Sequence, residues 1–207
     1  MKIIKINDAE YPFLLKQIQN PPKQLYLYGE TIDFNQNLVT VIGTSNPDLS
    51  GRRETVRIVK RLVKRGCTIV TSITQGIDEI VCKTTLENNG KIIVAIPGDI
   101  EKIQSEKYQN RIKYILENNG NIITEYDCFQ EVLPENYLEL NRILAGLSKK
   151  LIIIEAGMTS GTVATAKVAL EENREIYAVI GDLKSHKKVG TNFLVKQGAK
   201  PIISVLL

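Results

Sequence analysis

The sequence predicts an α/β fold built on a mostly parallel, doubly wound sheet. Two observations carry this. Short apolar segments alternate with amphipathic helical segments from about residue 38 onward, as β-α-β crossovers require. The apolar runs are also continuous, as in Leu151 to Ile154, which suits strands covered on both faces.

Strands are expected at Leu38–Ile42, Thr68–Thr71, Ile92–Ile96, Asn121–Thr124, Leu151–Ile154, Glu175–Val179 and Pro201–Ser204. Helices fall at 52–65, 77–88, 106–118, 138–147, 161–173 and 191–197. Gly66, Gly90 and Gly120 follow the first three helices, where a left-handed residue ends a helix. Residues 1–37 are expected to be a lead-in segment packed on the core. In it, a short helix is followed by the Pro21-Pro22 break and an extended LYLYG stretch. Residues 38–207 then form one domain. Asp127 to Asn136, the longest irregular connection, is a candidate rim loop or lid.

A chain of 207 residues with 43% apolar residues can bury a full core. No apolar run approaches the ~20 residues that span a bilayer, and the N-terminus lacks a signal-peptide pattern, so a cytoplasmic protein is expected. Cys67, Cys82 and Cys128 are odd in number and lack metal-type spacing, and His186 is the only histidine. These counts argue against a disulfide framework, a zinc site and His-dependent catalysis.

The net charge of +4 is unevenly spread. Residues 51–66 hold seven Lys/Arg against one Glu, and residues 184–207 hold five Lys and no acid. On a helix, Val56, Ile58, Val59, Leu62 and Val63 share one face, opposite Arg53, Arg57, Lys60, Arg61, Lys64 and Arg65. Such a face is either solvated or a rim for a polyanion. In the second case Arg53, Arg57, Lys60, Lys64, Lys184, Lys187 and Lys188 would attract nucleic acid phosphates.

In an open parallel sheet a ligand lies beyond the carboxyl ends of the strands. The loops leaving those ends are small and polar: Gly43-Thr44-Ser45, Ser72 through Gln75, Gly76 and Asp78, and Glu155 leading to Ser160-Gly161-Thr162. The last of these opens a helix, where free N–H groups and the dipole favour an anion, although Ser and Thr are also ordinary helix caps. Neither GxGxxG nor GxxxxGK[ST] occurs, so no dinucleotide cofactor or ATP is expected.

These residues resemble the DNA-processing protein A family (DprA, also called Smf). The likeness runs in order through Tyr11-Pro12, Pro21-Pro22, Leu25-Tyr26 and Gly29. It continues with VIGT at 41–44, Gly51, GID at 76–78, NRILAGLS at 141–148, EAGMTSGTVATA at 155–166 and GTNFLVKQGA at 190–199. The resemblance implies a three-layer extended Rossmann-like domain, and a short member comprising essentially that domain alone. It further implies single-stranded DNA bound at the strand carboxyl ends, a homodimer, a role in natural transformation with loading of a RecA-type recombinase, and no catalysis. Site residues carried over are Asn141, Arg142 and Asn192 beside the small-residue loops.

The chain departs from the family pattern at Ser45, Gln75 and Leu140, where arginines are usual, at Ser50 for Tyr, at Val81-Cys82 for Ala-His and at Ile180-Gly181 for Pro-Gly. Three pocket cations are thereby missing, leaving Arg142 as the expected one. An alternative reading of the same pocket is a sensor for a nucleotide or nucleotide-derived ligand. A hydrolase resembling nucleoside-phosphate phosphoribohydrolases is a third. It lacks the usual Glu after Gly161-Thr162, with Asp78 and Glu155 as the available carboxylates. The apolar end, Ile202, Ile203 and Val205 to Leu207, is expected to pair two subunits or to pack within one.

Overall fold

The computed structural model describes residues 1–101, 106–127, 132–182 and 185–203. Among the described residues seven strands form the parallel part of the sheet: β3 (Leu38–Ile42), β4 (Thr68–Ser72), β5 (Ile92–Ala95), β6 (Asn121–Thr124), β7 (Lys150–Ile153), β8 (Glu175–Val179) and β9 (Lys200–Ile202). Two more, β1 (Lys2–Lys5) and β2 (Gln24–Tyr28), precede them. The order is β1-β2-β6-β5-β4-β3-β7-β8-β9, with β2 antiparallel to β6 and β1 antiparallel to β2. β3, β4, β5 and β6 are buried at every position, which is why their sequences do not alternate.

Helices α2 (Leu49–Lys64), α3 (Ile77–Glu87) and α4 (Glu106–Glu117) contribute apolar side chains to one core cluster. Helices α1 (Phe13–Lys16), α5 (Pro134–Gly146), α6 (Gly161–Glu171) and α7 (Val189–Lys196), or residues beside them, contribute to the other. Helices on both faces make the sheet doubly wound, in three layers.

Helix ends deviate from the glycine expectation in an instructive way. Gly66 is left-handed at φ +72°, but after α3 and α4 the left-handed residues are Asn89 and Asn119, with Asn173 after α6. Asn tolerates that conformation, and the amide one residue on bonds back five positions, as in Gly90 N–H to Thr85 O at 2.9 Å and Gly120 N–H to Ile115 O at 2.8 Å. Gly90 and Gly120 serve close packing instead.

α2 begins earlier than expected because Asp48 caps it, accepting the Gly51 N–H at 2.7 Å. That bond holds the Asp48 carboxyl below its ordinary pKa. α5 begins four residues early, at Pro134, where a proline is at no disadvantage. β1 escapes sequence reading because it is a short edge strand with only Ile4 buried. Ser204 and Val205 to Leu207 lie outside the described residues, as does most of the front of the expected 127–136 loop. Among the described residues no helix is long and apolar enough to cross a membrane.

Candidate nucleic-acid interface

Strand order reverses at β3, which has β4 on one side and β7 on the other. Beyond these carboxyl ends lies a cleft of about 370 Å³, at the place where open α/β sheets bind ligands. The sequence-predicted Gly43, Thr44, Ser45, Ser72, Asp78, Asn141, Ser160, Gly161 and Thr162 all line it.

Asp78 organises one wall. Its buried carboxylate accepts the Gly43 N–H at 3.1 Å, the Thr74 hydroxyl at 2.7 Å and the Ser72 hydroxyl. Burial pushes its pKa up to about 6, against the opposing pull of those hydrogen bonds and of Arg111. Gly76 closes the turn at φ +83°, and a Cβ there would sit 2.5 Å from the Thr44 and Ser45 carbonyls. Its presence in the loop is therefore a steric requirement.

α6 forms the other wall. Ser160 is its N-cap, accepting the Val163 N–H at 3.4 Å while donating to Gly157 O at 2.8 Å. The N–H groups of Gly161 and Thr162 in the first turn have no intrahelical acceptor, so the positive end of the helix opens on the cleft. A Cβ built on Gly161 meets nothing within 4 Å. Thr165, one turn on, donates to Asn141 Oδ1 at 2.8 Å and joins α6 to α5.

Glu155, at the end of β7, braces the same region. It is fully buried, its carbonyl accepts the Thr44 N–H at 2.7 Å, and its Oε2 accepts the Asp48 N–H at 3.1 Å. Burial raises its pKa while Lys188, 3.7 Å from Oε1, opposes the rise.

Several expected site residues lie elsewhere. Arg142 does not line the cleft. Its guanidinium meets Glu125 through Nη1–Oε1 at 3.0 Å and Nη2–Oε2 at 2.6 Å, and Nε lies 3.0 Å from Glu139. The expected pocket cation is thus already neutralised. Gln75 is exposed outside the cleft and accepts from Lys107 at 3.3 Å. Asn192 exchanges hydrogen bonds with the Gly181 backbone, at 3.2 and 3.3 Å, and fixes the entry to α7.

The basic rim is also smaller than the sequence suggested. Lys188 is buried and donates to Ile154 O at 3.4 Å, so it is the counter-ion of Glu155 and not a surface charge. Arg57 is half-buried against Glu54 at 2.5 Å. Lys187 is half-buried, and Lys184 lies outside the described residues. Arg53, Lys60 and Lys64 are exposed. Because α2 leaves the carboxyl end of β3 and ends before β4, Arg53 lies toward the cleft end of the sheet and Lys64 about 16 Å farther from that end along the axis.

The cleft also contains Thr74, within a loop the sequence singles out, and Tyr137, Leu138 and Thr165, outside the expected site residues. Tyr137 and Asn141 are one helical turn apart and share a face. The expected start of α5 at residue 138 leaves Tyr137 off that face, whereas the helix in fact begins at Pro134. Among the described residues no cluster of His, Cys, Asp or Glu is arranged to hold a metal ion.

The sequence model of the DNA recombination-mediator protein A family matches residues 2–206. The chain belongs to that family. The Smf protein of Escherichia coli K12 is 29% identical over 197 residues, covering 95% of this chain and 53% of the relative. This chain therefore spans about half the length of that relative. Among solved structures, DNA processing protein A from Streptococcus pneumoniae superposes with a TM-score of 0.90 at 27% identity, over 97% of this chain and 70% of that one. The Helicobacter pylori DNA processing protein A, studied for its single-stranded DNA binding mode, gives 0.85 at 25% identity, over 98% and 91%. The Rossmann-like fold expected from the sequence is shared with these family members.

Proposed function

We propose that this chain binds single-stranded DNA in the switch-point cleft, using neutral donors where other family members would use arginines. The observation that carries this reading is the start of α6: Gly161 opens the helix without a Cβ into a cleft lined by Thr44, Ser45 and Asn141. Amide N–H groups at the positive end of a helix donate to a phosphate oxygen without a formal cation. Arg53, exposed in the first turns of α2, supplies charge at the same end of the sheet. On this reading the cleft between α5 and α6 takes one backbone in preference to a duplex.

No reaction is assigned to the site. Both carboxylates that could serve one, Asp78 and Glu155, already accept hydrogen bonds from the turns they hold in place. The same reading, following the family, has the protein act in DNA uptake and processing in the cytoplasm. There it works as a homodimer that passes its strand to a RecA-type recombinase. A fluorescence titration with single-stranded DNA, double-stranded DNA and a mononucleotide at two salt concentrations tests the binding. Tighter binding of the single strand is expected, and equal affinity for the duplex would overturn the reading.

A further inference from the structure

At the opposite end of the sheet, by the amino ends of β3, β7 and β8, lies a hollow of about 240 Å³ that the DNA reading does not use. It exists because of the winding. Past the switch point, α6 and α7 contribute to the core on the other face, so α2 is the helix that borders this one. Its floor is aliphatic: Val39, Ile58, Leu62, Ile152 and Ile202. Its rim carries Arg61, Arg65 and Lys150, all exposed; among the described residues none is within ion-pair distance of a carboxylate, and Lys150 acts on Glu175 only from farther off.

We propose that this hollow docks an acidic peptide segment that buries one apolar side chain. Three cations around an aliphatic floor call for a ligand with negative charge outside and an apolar group inside. The floor's own chemistry selects a side chain over a nucleobase. Asn37 donates its amide to Cys67 Sγ at 3.3 Å, and the Tyr177 hydroxyl donates to Glu175 at 2.8 Å. A base inserted there would leave its polar edge unpaired, whereas leucine or phenylalanine loses nothing. Glu175, beside the hollow, is neutralised by Lys200 at 2.8 Å and does not repel an acidic ligand.

The test is fluorescence anisotropy on the full chain, with a fluorescein-labelled peptide of four aspartates followed by Leu-Phe. Saturable binding is expected, weakened roughly tenfold by Arg61→Glu with Arg65→Glu. Both positions are on the solvent side of α2, so circular dichroism should report an unchanged fold. A control peptide ending in Ser-Ser should not bind. Absence of saturation, equal binding of the Ser-Ser peptide, or no effect of the charge reversals would overturn the proposal. Displacement by hexathymidylate that is itself weakened in the variant would assign the hollow to nucleic acid instead. Altered self-association of the variant by sedimentation would assign it to a second copy of the chain. Either result also overturns the proposal, and neither bears on the cleft.

Discussion

Arg142 and Glu125 form a two-point ion pair, at 3.0 and 2.6 Å, between side chains that are 16% and 14% exposed. The pair joins α5 to the segment just after β6. It converts the cation expected to meet DNA into a structural tie. Removing one partner strands the other in a largely desolvated place.

Arg142→Ala should therefore lower stability by on the order of 2–4 kcal/mol and leave the affinity for single-stranded DNA nearly unchanged in the folded fraction. Denaturant unfolding and a DNA titration on the same sample separate the two effects. A stable variant with weakened binding would return Arg142 to the binding site.

Charge reversal along α2 should show a gradient. Arg53→Glu should flatten the dependence of log K on log salt more than Lys64→Glu, because Lys64 lies farther from the cleft than the ~8 Å screening length at physiological salt. Equal effects would mean that DNA runs along the whole helix.

Asp78 predicts a pH dependence with a definite sign. Its folded pKa of about 6 lies above the ordinary 3.8 because burial disfavours the charge. Its contribution to stability is thus fully present below about pH 4 and is lost as pH rises through 6. The loss is roughly 3 kcal/mol for a shift of this size. Asp78→Asn lacks this term, so the wild-type minus variant difference in unfolding free energy should grow as pH falls from 7 to 4. A flat difference would show that the carboxyl is ionised at ordinary cost.

Much of the fold was legible in the sequence because its strands are buried on both faces and read as unbroken apolar runs, Leu38 to Ile42 and Leu151 to Ile154 among them. The turns at Asp78 and Ser160 were legible for a similar reason: each is held in part by bonds within a few residues, Thr74 to Asp78 and Ser160 to Gly157, and Gly76 in the first is a steric requirement. Arg142, Lys188 and Asn192 were misplaced because their partners are set by tertiary packing. Glu125 is seventeen positions from Arg142 and Glu155 thirty-three from Lys188, and no local pattern announces either pair. Glu139, one turn before Arg142, was the only nearby sign.

The direct test of the cleft is Gly161→Asp. Its Cβ meets nothing within 4 Å, and an acid in the first turn of a helix is favourable to the fold, so stability should hold or rise slightly. A carboxylate placed where phosphate should sit repels it and occupies the free amides. Titration with single-stranded DNA should then show affinity reduced by about tenfold or more. Undiminished binding by the folded variant would mean that DNA is held somewhere other than the start of α6.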